Sequence, residues 1–286
     1  MVNVDDLLQS LDLEQIEVNI FRGSNHDIGA NHVFGGQVLS QALHAAILTA
    51  PPERIAHSMH GYFILPGDLS QPIIYMVDQV RDGGSFTTRR VKAIQHGKDI
   101  FIMAVSFQLV QEGLDHQINM PDVPDPEELD SDQELLIKYA DQLPPSMKRF
   151  LRARPIEFRP VDPMNFLMPM QQEPLRYVWF KAKGQVRKDQ TFHQRLLAYA
   201  SDYNLLTTAI QPHQHEMQIP QLQLASLDHA MWFHRPLDIS QWLLYEVDSP
   251  SASNARGFTR GNIYQQNGTL VSSVVQEGLI RPKRKA

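Results

Sequence analysis

The chain has 286 residues, no cysteine, and 26 basic against 32 acidic residues, for a net charge of −6. The missing cysteines remove disulfides, thiolate ligands and a cysteine nucleophile together, and the scattered basic residues, apart from the tail RPKRKA, give no nucleic-acid surface. No apolar run approaches the roughly 18 residues of a membrane span, so a cytoplasmic protein with no stable membrane insertion is expected.

The opening MVNVDDLLQSLDLEQIEV has acids where a secretory signal needs a basic segment, and it reads as a short amphipathic helix. In FGGQVLSQALHAAILTAPPE, Gly35 and Gly36 precede Val38, Leu39, Ala42, Leu43, Ala46 and Ile47 at helical spacing, and Pro51 and Pro52 stop the run. A long, largely buried helix is expected there. Strand-like runs follow from HSMHGYFILPGD to IFIMAVSFQLV, separated by Asp-Gly-Gly and His-Gly-Lys turn signals, as in an antiparallel meander.

From Glu112 to about Pro155 the periodicity fades, and PDVPDPEELDSDQE is proline-rich and acidic, as an exposed connector should be. A helix is expected within DSDQELLIKYADQL, which begins with capping residues. The plan then repeats: LRYVWFKAKG as a strand, FHQRLLAYASDYNLLTTAI as a helix, and strands from LQLASLDHAMWFHRP to VVQEGLI, with a hairpin signal at Gln266-Asn267-Gly268.

The repetition is literal in one place. FILPGDLSQPIIYMVD (63–78) and FHRPLDISQWLLYEVD (233–248) share Phe63/Phe233, Pro66/Pro236, Asp68/Asp238, Ser70/Ser240, Gln71/Gln241, Tyr75/Tyr245, Val77/Val247 and Asp78/Asp248. Unrelated segments of that length would share roughly one position. The expected organisation is α+β: tandem units at 1–115 and 153–286, a linker at 116–152, and each sheet wrapped around its helix. The two sheets are expected to join edge to edge, so that exposed edges pair.

Asp202 stands out chemically, because no other acid lies between Asp189 and Glu216 and its helical neighbours Ala198, Tyr199, Leu205, Leu206 and Ala209 are mostly apolar. A carboxylate so placed is either a capped or surface Asp at a helix kink, or a general base or water-orienting group whose proton affinity burial has raised. The first helix carries Gln37, Ser40, Gln41 and His44 but no carboxylate, so the halves differ in chemistry. The Gly35-Gly36 pair either starts its helix or lets a ligand approach free backbone N–H groups.

There is no G-x-S-x-G, P-loop, G-x-G-x-x-G or H-E-x-x-H motif. His57 and His60 have the spacing of a helical metal pair, and His213 and His215 that of one strand face, but neither pair has an acidic third ligand nearby, so no metal is expected. His57 is read either as a general base or as an ordinary strand-edge histidine.

The segments VFGGQVLSQALHAA, HSMHGYFILPGD, YASDYNLL, SLDHAMWFHRP, SASNARGFTRGNIYQQNG and VVQEGLIR together resemble the acyl-CoA thioesterase II family, close to its bacterial members. The resemblance covers nearly the whole chain and implies two hotdog domains. It also implies hydrolysis of fatty acyl-CoA without a cofactor, by an Asp, a Ser or Thr, and a Gln that bind and activate one water. These carry over to Asp202 in YASDYN, Ser226 in ASLDHAMW and Gln276 in VVQEG; Thr is common at the position of Ser226. The implied partner is the acyl-CoA substrate, and a homo-oligomer, dimer or tetramer, is expected. Two rivals stay open at this point: a hotdog hydratase or dehydratase, for which residues 193–210 offer only His193 as an acid/base histidine, and a non-catalytic acyl-CoA binding module.

Overall fold

The structure, a computed structural model, describes residues 4–141, 154–163, 171–184, 186–215 and 221–283; the unit boundary expected at 152/153 lies outside them. Its first half contains α1 (Val4–Leu11), β1 (Leu13–Glu17), β2 (Ile20–Gly23), α2 (Gly35–Thr49), β3 (Arg54–Phe63), β4 (Ile73–Asp82), β5 (Phe86–Gln95) and β6 (Lys98–Leu109). After α3 (Asp132–Lys138) come β7 (Ile156–Pro160), β8 (Leu175–Ala182), α4 (Gln190–Ser201), α5 (Leu205–Thr208), β9 (Leu222–Ser226), β10 (Asp228–Phe233), β11 (Leu243–Ser253), β12 (Arg256–Gln265) and β13 (Leu270–Pro282).

These strands form one antiparallel sheet in the order β1-β2-β4-β5-β6-β3-β10-β13-β12-β11-β8-β7, with β9 added beside β13. Read outward from its centre, the order has the same plan on both sides. The joint is β3 against β10, where His60 pairs with Ala230 and Met59 with Met231. Each half therefore covers an edge that the other would leave open. Helices α2 and α4 lie against each other, and the main apolar core runs through both halves.

The repeated segment does the same work in both copies. Asp68 Oδ1 accepts hydrogen bonds from the Ser70 N–H and hydroxyl, both at 2.8 Å, and Asp238 Oδ1 accepts from Ser240 at 3.0 and 2.6 Å. These side chains shape the turn before the next strand. Two strand positions on, the fully buried tyrosines reach the helices: Tyr75 donates to Gln41 Oε1 at 2.7 Å and Tyr245 to the Ser201 carbonyl at 3.1 Å. Asp78 and Asp248 then pair across the sheet with Arg90 and Arg260. The identical residues thus fix turn, helix seat and strand register.

Helix α1 straps the two central helices together. Leu7 and Leu11 are buried, and the Leu11 carbonyl accepts from Arg195 Nη2 of α4 at 3.0 Å and lies 3.3 Å from His44 Nδ1 of α2. Burial, followed by the nearby Arg195 charge, lowers the His44 pKa to about 4, so its ring stays neutral.

The connector is mostly exposed, as expected, but part of it docks. Residues after β6 dock on the outer face of the second half: Trp179 Nε1 donates to the Pro124 carbonyl at 2.9 Å and Trp242 Nε1 to Glu127 Oε1 at 2.8 Å. Met120, Val123 and Leu129 cover Trp179, Trp242, Leu244, Tyr264 and Leu270. Apolar residues spaced among prolines gave no periodic signal, although they bury a second core.

Candidate active site

The second central helix is not continuous. Asp189 Oδ1 caps α4 by accepting the Thr191 N–H at 2.9 Å, and the helix ends at Ser201 with Asp202 as C-cap. Asn204, at φ 69°, breaks the run before α5 begins. Asparagine tolerates the left-handed conformation, so a sequence with unbroken helical spacing still divides there. Asp202 consequently projects from a helix end, where the terminal carbonyls disfavour a carboxylate.

Two strands bring its partners. Gln276 points inward from β13, 1% exposed, and donates from Nε2 to Asp202 Oδ1 at 2.8 Å. Ser226 ends β9, with its hydroxyl 3.5 Å from the same oxygen. That separation exceeds an ordinary O–H···O hydrogen bond and leaves the hydroxyl available to a third group.

Ser226 is aimed by a bulge. Ser226 pairs with Gly278 and Ala230 with Val275, so residues 227–229 face only 276–277. The extra residue splits the expected single strand into β9 and β10. At the bulge the Leu227 N–H donates to the Glu277 carbonyl and the Leu227 carbonyl accepts from Phe63 N–H, both at 2.9 Å.

The first half completes the site with backbone. Helix α2 begins after Phe34, which provides no side-chain cap, and its Gly36 N–H faces the Asp202 carboxylate and helps hold that carboxyl's pKa down. A Cβ on Gly35 would stand 2.6 Å from Asp202 Oδ2 and 3.0 Å from Phe63 Cζ, and one on Gly36 would overlap the Tyr199 carbonyl oxygen. Only glycine permits this approach. The Phe34 ring seals the side, with centroids 5.2 Å from Tyr199 and 4.6 Å from Tyr203.

Burial raises the Asp202 pKa to about 6, against the pull of the Gln276 amide, the Gly36 N–H and the Ser226 hydroxyl. The rise from 3.8 means that ionising Asp202 in the folded protein costs about 3 kcal/mol more than in water. A base poised near neutral pH, with one donor fixed and one hydroxyl uncommitted, suits proton abstraction from a water.

The structure thus gathers Asp202, Ser226 and Gln276 into one place. It leaves the histidines outside. His57 lies on β3, not on a helix, with Nε2 2.8 Å from Ser106 Oγ and its ring edge against Phe86. His193, at the start of α4, accepts the Ile239 N–H at Nδ1 and so supports the repeated turn. His213 ends a 3-10 turn (Gln211–His213) and His215 lies in the turn after it, so no strand face joins them. Proline at 212 favours that tight turn over an extended strand. Among the described residues no group of three His, Asp or Glu side chains could hold a metal ion.

Sequence reasoning left the role of Gly35-Gly36 open and missed His229, whose place is described below. A usable signal for the glycines existed: α2 starts without Ser, Thr, Asp or Asn before it, so its first N–H groups need an acceptor from elsewhere.

The chain matches family models described as acyl-CoA thioesterase over residues 146–279 and acyl-CoA thioesterase N-terminal domain over residues 22–108. It is 42% identical to acyl-CoA thioesterase 2 of Haemophilus influenzae, over 97% of this chain and 98% of that one. Acyl-coenzyme A thioesterase 8 of Homo sapiens is 41% identical over 96% of this chain and 88% of its own length. A crystal structure of an acyl-CoA thioesterase II from Mycobacterium marinum superposes with a TM-score of 0.80 at 41% identity, covering 96% of this chain and 98% of that one. A hot dog fold protein from Alicyclobacillus acidocaldarius shares the fold at 17% identity, with a TM-score of 0.76 over 96% of this chain and 97% of that one. With its tandem hotdog architecture and similarity over nearly its whole length, the chain belongs to the acyl-CoA thioesterase family.

Proposed function

We propose that this protein hydrolyses medium- to long-chain fatty acyl-CoA to free fatty acid and coenzyme A, with Asp202 as general base and Ser226 and Gln276 positioning the attacking water. The observation that carries this reading is the convergence on one carboxylate, of raised pKa, of a fixed amide at 2.8 Å and an uncommitted hydroxyl at 3.5 Å. Family membership supplies the substrate class.

Asp202 takes a proton from water as its oxygen adds to the thioester carbonyl carbon. The tetrahedral intermediate then expels the coenzyme A thiolate, which takes up that proton. A thiolate is a good leaving group, so a strong acid and a covalent acyl-enzyme are unnecessary. Gln276 Nε2 has a second N–H besides the one given to Asp202, and this is a donor for the developing oxyanion.

We propose a cytoplasmic homo-oligomer, dimer or tetramer, built of tandem units at 1–115 and 153–286. No helix among the described residues is long and apolar enough to cross a membrane. Tyr62, Ile64, Leu65 and Met76 are exposed on the first half, which supports association. Light scattering of the purified chain tests it.

The decisive experiment is thiol release from a series of acyl-CoA lengths by the wild type and Asp202→Asn. Turnover by the wild type and a loss of two or more orders of magnitude in the variant are expected, as for a missing general base. Ligand-dependent stabilisation with no thiol release by the wild type would make the protein a binding module.

A further inference from the structure

Asp202 sits at the end of a helix whose last residue is held by a buried histidine. Ser201 is fully buried, and its hydroxyl donates to the Ala198 carbonyl at 3.0 Å. Its carbonyl receives the Tyr245 hydroxyl at 3.1 Å. His229, fully buried on β10, places Nε2 3.0 Å from the Ser201 Oγ. With the single hydroxyl hydrogen assigned to the Ala198 carbonyl, Oγ is the acceptor and His229 carries its proton on Nε2. Nδ1 is then a bare lone pair, and it has no hydrogen-bond partner among the described residues.

A buried histidine with one ring nitrogen unpartnered is costly, by roughly 1–3 kcal/mol for the unmet group. Leucine of similar volume would avoid that cost if the site needed only packing. Burial alone pushes the His229 pKa down to about 3, so the ring is neutral wherever Asp202 ionises and takes no part in proton transfer. What remains is the directed Nε2–H. It bonds the residue just before Asp202 from the strand that leads out of the bulge beside Ser226, so this one contact ties the end of α4 to the segment that places its hydroxyl partner.

We propose that His229 is a positioning residue: through Ser201 it fixes the end of α4 so that the Asp202 carboxylate stays against Gln276, Gly36 and Ser226. The proposal rests on the assignment of Asp202 as general base. The titratable neighbours of that carboxylate are the phenols of Tyr199, Tyr203 and Tyr245, whose pKa values all lie above the usual tyrosine range through burial. None of these phenols titrates near pH 6. Asp228 on β10, whose carboxylate accepts the Glu277 N–H at 2.6 Å and is also raised by burial, is the other carboxyl beside these strands, so the Asp202 share of the acid limb is read as the change between wild type and the variants below.

The test compares His229→Gln, His229→Leu, Ser201→Ala and the double variant His229→Leu/Ser201→Ala with wild type and Asp202→Asn, by thiol release from an acyl-CoA across pH 4.5–8.5, as a range spanning roughly two units either side of the Asp202 midpoint. Gln can place an amide N–H where Nε2–H stood and should keep turnover within about threefold. His229→Leu and Ser201→Ala should each lower kcat at least tenfold, with KM changed less than about twofold. The acid-limb midpoint should fall, because a carboxylate free to turn toward water is less desolvated. The double variant should be no worse than the worse single one, as expected for two ends of one contact. Wild-type kcat and midpoint in both His229→Leu and Ser201→Ala would overturn the proposal, as would a Gln variant as slow as the Leu variant. If His229→Leu does not fold, Ser201→Ala and His229→Gln decide alone. An active Asp202→Asn would instead remove the general-base assignment, a result distinct from failure of the positioning.

Discussion

The two halves share a frame and differ at their helices. In the first, α2 opens on Gly35-Gly36 with no side-chain cap and keeps only amides, hydroxyls and a neutral imidazole along its length; in the second, α4 ends on Asp202. The open N–H of one helix meets the uncompensated carboxylate at the end of the other. Duplication supplied two equivalent helices, and divergence gave one the open N–H groups and the other the carboxylate. The candidate site therefore belongs to the pair of halves and to neither alone.

Gly36→Ala is the strongest way to break that pairing. The added methyl overlaps the Tyr199 backbone oxygen, which no rotamer change can relieve, so α2 and α4 must separate. Turnover should fall at least a hundredfold, with stability lowered by about 1–3 kcal/mol in urea denaturation. Alanine at 36 with wild-type kcat would show that the first half is only scaffold.

Asp202→Asn sharpens the comparison from the other side, through stability. A carboxyl whose folded pKa is raised from 3.8 to about 6 favours the fold below the lower value and opposes it increasingly as pH rises through both. At pH 7.5 the wild type should therefore melt below the Asn variant, and the gap should close at pH 4, in parallel thermal scans. Gln276→Ala should slow turnover about ten- to a hundredfold and move the acid limb of the pH–rate profile upward, since the carboxylate loses its closest donor. A downward shift would contradict the hydrogen bond's role.

The frame was readable because its residues repeat: Asp68/Asp238, Tyr75/Tyr245 and Asp78/Asp248 recur at one spacing and make matching contacts. The contrast between Asp202 and its apolar neighbours was readable too. Its setting was not, because Asn204 breaks a helix whose periodicity continues on either side, and the bulge at Leu227 interrupts a run that alternates normally. Neither event changes composition. The docked connector escaped for the opposite reason, since its partly buried Met120, Val123 and Leu129 lie among prolines and acids that read as solvent-facing.

Ser226→Ala should have a smaller effect than the Gln276 change, about tenfold or less on kcat, with the pH–rate midpoint nearly unmoved. At 3.5 Å its hydroxyl does little for the resting carboxylate, so its contribution must arise when water is bound between them. Threonine at 226 should preserve turnover, because it keeps the hydroxyl and restricts its rotamers.

His57→Ala is expected to change least. The ring lies on β3 with Ser106 and Phe86, and burial together with the nearby His60 lowers its pKa, so at neutral pH it is an uncharged hydrogen-bonding group outside the Asp202 site. Losing that contact should cost about 1 kcal/mol of stability. Turnover should stay within about twofold of wild type, well inside the tenfold or larger losses that catalytic acid–base groups give. A Ser–His pair at 2.8 Å has the spacing of an activated nucleophile, so the experiment separates two chemistries on one chain. If His57→Ala lost turnover while Asp202→Asn kept it, the reaction would belong to the first half's sheet and the asymmetry of the helices would be structural alone.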